Sequence, residues 1–368
     1  MKIEQIRLLN IKMPLVSPFE TSFGRETGRN TILVAVSSEG LTGWAEAPTM
    51  SAPLYNEETT ETAWHIMRDF LVPRIIGMKF VHPREIPAAY REIRGNHIAK
   101  SGIEGAVWDL YARVRGISLS RSLGGTRDRI AVGVSLGIEE SVERLLRKIE
   151  RFLGEGYRKI KVKIKPGWDA HVVEAIRREF GQIPLMVDAN SAYSLGHADL
   201  FKKLDQFGLI MIEQPLEHDD IVEHAILQRQ LRTPICLDES ILHAKDARNA
   251  LDLGSAKIIN IKVSRVGGMT EALAIHDLCL ARGVPVWCGG MLETGIGRAH
   301  NIALASLEGF TIPGDTSASS RYFERDIIEP EVMVKEGYIE VPSGPGIGYA
   351  VREDLIRRFL VREEVFRG

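Results

Sequence analysis

Apolar and polar residues alternate from Lys2 to Met13 and again from Thr31 to Ser38, and a Ser38-Glu39-Gly40 turn leads into a third alternating run, Thr42 to Ala47. Period-two alternation on either side of such a turn predicts strands, the last two joined as a hairpin. The spacing of apolar residues then lengthens to three and four. Glu57 to Phe70, Arg84 to Ile93 and Gly102 to Val114 predict helices with one buried face, the last carrying Trp108, Leu110 and Tyr111. Residues 1–125 read as an α+β unit.

Beyond residue 128 the texture changes. Short apolar runs alternate with amphipathic stretches at Glu139 to Phe152, Asp169 to Phe180, Ala198 to Phe207, Asp220 to Leu231 and Met269 to Ala281, as parallel βα units do. Strand ends fall near Ser135, Lys163, Asp188, Glu213, Asp238, Lys262, Cys288 and Ile312, at intervals of 28, 25, 25, 25, 24, 26 and 24 residues. Units of near-constant length predict an α/β fold, a closed (β/α)8 TIM-like barrel over residues 126–325. After that the pattern breaks, and residues 326–368, with a helical Arg352 to Val361, read as a tail that packs back on the first unit.

A chain of 368 residues, 44% of them hydrophobic, can bury two adjoining cores. Its formal net charge of −2, with charges of both signs interspersed, provides no basic field for nucleic acid or an anionic membrane. A small-molecule carboxylate is the expected partner, and the protein is expected to assemble as a homo-oligomer. Cys236, Cys279 and Cys288 are odd in number and set in apolar runs, which predicts buried, reduced thiols. The N-terminal stretch lacks the pattern of a secretory signal and no apolar run is long enough to span a membrane, so cytoplasmic residence is expected.

The candidate chemistry sits where barrel enzymes place it, at the C-terminal ends of strands. Asp188, Glu213 and Asp238 end three consecutive predicted strands, each after an apolar run. Neighbouring strands lie about 5 Å apart, so the three carboxylates can converge on one ion, and an all-oxygen set suits Mg²⁺ or Mn²⁺ better than Zn²⁺. Any one of these acids alone reads as a helix N-cap. Three in register favour a shared site.

Lys161 and Lys163 are two residues apart on the second strand and share a face, while Lys262 ends the sixth strand, opposite in an eight-stranded ring. Ile160, Val162 and Ile164 then form the outer face, and Arg158, Lys159 and Lys165 read as solvent or capping charges. A carboxylate held at the acids presents its α-carbon between two amines. Removing a proton there needs positive charge to stabilise the enediolate, and a lysine whose pKa is lowered by a cationic neighbour or by burial.

The motifs Lys161-Val-Lys163, Asp188-Ala-Asn190, Glu213-Gln-Pro215, Asp238-Glu-Ser240 and Asn260-Ile-Lys262 resemble those of the enolase superfamily, in particular its muconate-lactonizing subgroup. Within it the chain is similar to the o-succinylbenzoate synthase and N-acylamino acid racemase family. That likeness is carried by Pro18 to Gly24, Ala47 to Tyr55, Gly133 to Gly137 and Cys288 to Gly297. It implies Lys163 and Lys262 as the acid/base pair with Lys161 beside them, Asp188, Glu213 and Asp238 as ligands to Mg²⁺ or another divalent metal, and Glu239 and Asn260 as their supports. It further implies Phe19, Phe23, Met50, Tyr55, Ser135, Asn190, Gly290 and Met291 around the substrate, with Arg265 resembling an arginine of racemase-capable members.

The same geometry serves dehydration to o-succinylbenzoate, as in menaquinone synthesis, and racemisation of an N-acylamino acid. Dipeptide epimerase and muconate cycloisomerase are rival readings. The first is weakened by Gly314-Asp315-Thr316-Ser317, where epimerases carry Asp-x-Asp. A non-catalytic barrel is the rival from another class. Plainer roles exist for the supporting residues as well: core packing for Phe19 and Phe23, a loop anchor for Tyr55, a turn or weak phosphate cradle for Gly289-Gly290. His218, His276 and His300 read as solvent or structural residues.

Overall fold

The computed structural model describes all residues, 1–368. Its first sheet is built from β1 (Gln5–Glu20), β2 (Arg25–Ser38) and β3 (Leu41–Ala47). Glu39 and Gly40 between β2 and β3 both have positive φ, 52° and 77°, the backbone of a two-residue hairpin whose twist matches its strands. β1 and β2 run beyond the alternating runs and form a long arm whose tip, Thr21 to Gly24, reaches over the barrel mouth. A register shift between Pro14 and Phe19 bends that arm.

Helix His97–Val114 packs on β3 and β2, starting earlier than its apolar spacing predicts. Its N-terminus has no cap from its own Asn96; instead Glu58 accepts from the backbone N–H groups of Ile98 and Ala99 at 2.7 and 2.9 Å. Glu57 to Phe70 is not one regular helix: Thr60–Ile66 passes through a π turn, Met67–Leu71, into Val72–Ile75. Arg84 to Ile93 shrinks to short turns, Pro83–Glu85 and Ile86–Ala89, because two prolines open them and interrupt the donor ladder.

After β4 (Arg129–Ala131) comes a parallel series: β5 (Val134–Leu136), β6 (Ile160–Lys163), β7 (Leu185–Asp188), β8 (Ile212–Glu213), β9 (Ile235–Leu237), β10 (Ile258–Ile261) and β11 (Val286–Cys288). They pair in chain order as a curled seven-stranded sheet. Helices Val142–Gly154, Ala170–Phe180, Ala198–Leu204, Val222–Gln228, Ala244–Leu253, Met269–Ala281 and Gly295–Ala305 follow the successive strands.

A regular eighth strand ending near Ile312 does not form. Pro313 has no N–H to give, and the irregular Phe310–Gly314 segment closes the ring by single bridges, Val286 to Phe310 on one side and Val132 to Gly314 on the other. Gly133 N–H donates to Gly314 O at 2.7 Å and Asp315 N–H to Cys288 O at 2.9 Å, so the TIM-like barrel is closed without a full ladder.

Met186, Met211, Cys236, Ile258 and Trp287 form a separate cluster that fills the lower barrel. A larger core lies between the strands and their helices, and another fills the capping unit. The tail forms β12 (Ile328–Glu329), β13 (Tyr338–Glu340), β14 (Ala350–Val351), a short helix Glu353–Phe359 and β15 (Leu360–Arg367). β15 pairs antiparallel with β1, so the tail returns to the capping sheet as a strand, where the helical reading had extended to Val361. All three cysteines are buried and free. No helix is long and apolar enough to cross a membrane.

Candidate active site

The pleat of β6 puts Ile160 and Val162 into the outer core and turns Lys161 and Lys163 inward. The parallel register sets Lys163 beside Asp188 and Asp188 beside Glu213, with Asp238 just past β9 and Lys262 just past β10. Lys163 Nζ lies 2.6 Å from Asp188 Oδ2 and 2.5 Å from Asn190 Oδ1. Lys161 Nζ reaches Asp188 and Glu213 at 3.2 Å each and Asp315 at 2.5 Å. Lys262 Nζ donates to Asp238 Oδ2 at 2.7 Å and to the Tyr55 hydroxyl at 2.9 Å, and the hydroxyl donates to Asp238 Oδ1 at 3.2 Å.

The supporting residues lock this set. Asn260 donates to Glu213 at 2.7 Å and Asn190 to Glu239 at 2.9 Å. Arg265 is buried behind Asp238, paired with it and bonded to the carbonyls of Ile241 and Asn260. A Cβ on Gly289 would stand 2.5 Å from Asn260 Oδ1 and 2.7 Å from Lys262 Cε, so glycine is what lets the β11 loop pass so close to the lysine.

These groups surround a cavity of about 650 Å³, counted to its open mouth. Lys161, Lys163 and Lys262 line it with Asn190, Ser135 and Gly290, and Phe19, Phe23, Met50, Tyr55 and Met291 form its apolar wall. The buried Ser135 Oγ has no protein partner. Asp188, Glu213, Asp238, Glu239 and Asn260 lie behind that lining. Arg265, expected against the substrate, does not border the cavity and acts on Asp238 instead.

Burial, helped by the amines of Lys161 and Lys262, outweighs Asp188 and holds the Lys163 pKa below its usual value. Burial opposes charge on Lys262 too, but Tyr55 and Glu239 more than offset it and raise that pKa. Burial works to raise Asp188, yet Lys163 and Lys161 keep it well below the usual carboxylate range, whereas burial and the adjoining Asp188 push Glu213 up.

The expected convergence of three carboxylates is only partly realised. Asp188 and Glu213 adjoin, while Asp238 is drawn to the nearer charges of Lys262 and Arg265, so no three His, Cys, Asp or Glu side chains are grouped closely enough to hold an ion. The donor chemistry still fits a hard divalent cation. Two buried carboxylates are in contact, one raised by the other even though they share the Lys161 amine, and their donors are all oxygens.

Four contributors escaped the sequence reading. Lys159 is not a solvent charge: its amine is buried 3.2 Å from Asp315 and 3.6 Å over the Trp287 ring. Period two already put it on the face of Lys161 and Lys163. Asp315 bridges Lys159 and Lys161 from the irregular eighth position. Arg29 and Tyr322 line the cavity from β2 and from the segment just after the barrel closes, elements that only tertiary folding brings there. Among the histidines, His276 accepts from Gly309 N–H at 3.0 Å, His300 is buried between the carbonyls of Ile296 and Gly105, and His218 is exposed.

A barrel with opposed lysines over buried acids, roofed by a separate α+β unit, defines a class of two-domain barrel enzymes. Residues 3–124 match the mandelate racemase / muconate lactonizing enzyme N-terminal domain and residues 144–355 the enolase C-terminal domain-like family. The chain belongs to the mandelate racemase / muconate lactonizing enzyme family of the enolase superfamily. It is 56% identical over 365 residues to an o-succinylbenzoate synthase of Geobacillus stearothermophilus, covering 99% of this chain and 97% of that one. An N-succinylamino acid racemase of Thermus thermophilus is 47% identical, with 97% of each chain covered. The crystal structure of an enolase-superfamily member from Listeria innocua superposes with a TM-score of 0.96 at 41% identity, over 99% of both chains.

Proposed function

We propose that this enzyme removes the proton α to a carboxylate and, from the resulting enediolate, either expels a β-hydroxyl to give o-succinylbenzoate or returns a proton to racemise an N-acylamino acid. The observation that carries the reading is that Lys163 and Lys262 line one cavity from β6 and β10, with three strands between them, each amine backed by its own carboxylate. An α-carbon between them is within reach of a base on one face and an acid on the other.

Lys163, whose charge burial disfavours, takes the α-proton on its Nζ. Lys262, kept charged by Tyr55 and Glu239, faces the growing negative charge of the enediolate. In dehydration Lys163 hands its proton to the departing hydroxyl, which leaves as water. In racemisation Lys262 gives a proton to the opposite face, and the roles reverse for the other enantiomer. Lys161, tied to Asp188, Glu213 and Asp315, holds positive charge beside Lys163. Asp188 and Glu213, with Asp238 released from its pairs to Lys262 and Arg265, would hold a divalent cation, Mg²⁺ or Mn²⁺, which would supply charge to bind the carboxylate and stabilise the enediolate. Phe19, Phe23, Met50, Tyr55 and Met291 hold the apolar part of the substrate and exclude water.

The names of the two curated relatives support both reactions. The test is to incubate the protein with Mg²⁺ or Mn²⁺ in D₂O and follow the α-proton of N-succinylamino acids by NMR, with a parallel assay of o-succinylbenzoate formation from its cyclohexadiene precursor. Exchange or product that disappears on chelation is expected; a folded protein giving neither contradicts the reading. We further propose a capping unit at 1–125, a barrel at 126–325 and a tail at 326–368, cytoplasmic residence, which the free thiols support, and a homo-oligomer, which sedimentation would measure.

A further inference from the structure

A second pocket, of about 680 Å³ counted to its open mouth, lies on the other side of Tyr55. It is bounded by the capping unit at Tyr55, Asn56 and Glu57 and by the segments that follow β8, β9 and β10. Four of its lining residues are acids: Glu57, Asp219, Glu239 and Asp246. Arg265 is the one lysine or arginine among them, and it is paired with Asp238. Glu57 and Asp219 are exposed, while Asp246 accepts from the backbone N–H groups of Leu242 and His243.

The inner end of this pocket is left incomplete. Glu239 is 8% exposed; its Oε1 accepts from Asn190 at 2.9 Å, and its Oε2 is buried with no partner. A buried carboxylate oxygen with nothing to bond is costly. Glu239 lines this pocket and not the substrate cavity. Three links join this end to the acids of the active site: Glu239 follows Asp238 in the chain, the Tyr55 hydroxyl donates to Asp238 at 3.2 Å, and Arg265 holds the same carboxylate.

The two openings differ in charge. Arg29, Lys161, Lys163 and Lys262 line the substrate cavity against two acids, Glu26 and Asp315, which favours a carboxylate and opposes a cation. The second pocket reverses that balance, and a cleft lined by one sign of charge concentrates the opposite ion.

We propose that the second pocket is the port by which a hydrated divalent cation reaches the site: Glu57 and Asp219 gather it, the free Glu239 oxygen receives it, and Asp238 lies next. A carboxylate that can bond to retained waters suits Mg²⁺, which sheds its hydration reluctantly. The inference rests on the reading that Asp188, Glu213 and Asp238 hold such a cation, and it adds a route separate from that of the substrate.

The test measures metal exchange on the whole chain, without turnover. Affinity for Mn²⁺ comes from the EPR signal of the free ion, and release from its capture by excess fluorescent chelator; the release rate divided by Kd gives the association rate. At low ionic strength the double variant Glu57→Gln, Asp219→Asn slows association on the order of 10-fold, and the gap closes in about 0.5 M KCl. Glu26→Gln, on the wall of the substrate cavity, leaves association unchanged. A folded double variant that binds at the wild-type rate, a slowing that salt does not diminish, or an equal slowing in Glu26→Gln overturns the port. Should the double variant not fold, wild-type rates in both single variants overturn it. A wild type that binds no Mn²⁺ overturns the metal-dependent reading itself, which separates the two failures.

Discussion

Tyr55, from the capping unit, holds its hydroxyl 2.9 Å from the Lys262 amine and its ring 4.5 Å from the same nitrogen. One residue outside the barrel therefore fixes both the position and the charge of a candidate acid on the sixth strand. Docking of the cap is thus part of assembling the chemistry, beyond covering it.

Tyr55→Phe keeps the ring and removes the hydroxyl. Lys262 loses a charged hydrogen bond and Asp238 one donor, a loss of about 1.5–3 kcal/mol. Exchange should slow on the order of 10-fold more for the enantiomer deprotonated by Lys163, for which Lys262 serves as the charged acid, than for the other, measured by NMR on the separate enantiomers. Equal slowing of both would argue that Tyr55 serves only to pack.

Asp315 joins two buried amines from the segment that closes the barrel. Asp315→Ala leaves Lys159 buried over Trp287 with its charge uncompensated and should cost about 3–5 kcal/mol in chemical denaturation. Lys159→Met should cost far less, because Asp315 keeps Lys161 as a partner. If the two variants are equally destabilised, the charge argument fails.

Burial raises the Glu58 carboxyl to about 7, only partly offset by the two helix N–H groups it caps. Its folded pKa thus exceeds the unfolded value near 4.5, so the folded state binds the extra proton between these values. This contribution to stability is present below pH about 4.5, declines as pH rises through about 7 and is flat above. Thermal midpoints at pH 5 and pH 8 should differ less in Glu58→Gln than in the wild type; an unchanged difference would mean that Glu58 does not titrate in that window.

The barrel was legible because strand and helix periods alternate at near-constant intervals, and the site because its charged residues stand where apolar runs stop. Lys159 was equally legible by period two, but its neighbours Arg158 and Lys165 made the run resemble a solvated surface. Phe310–Gly314 defeated strand counting because closure there needs only two bridges. Arg29 and Asp315 owe their roles to the overhanging arm and the ring closure, contacts that no local pattern encodes. Asp238 shows the converse: its position at a strand end was readable, its preference for Lys262 and Arg265 was not.

The two-base arrangement of Lys163 and Lys262 is the centre of the account, and interconversion of N-succinylamino acid enantiomers tests it most directly. With Mn²⁺ present, Lys163→Ala and Lys262→Ala should each abolish racemisation while remaining folded by circular dichroism. A folded single variant that still racemises at a rate near that of the wild type would contradict it.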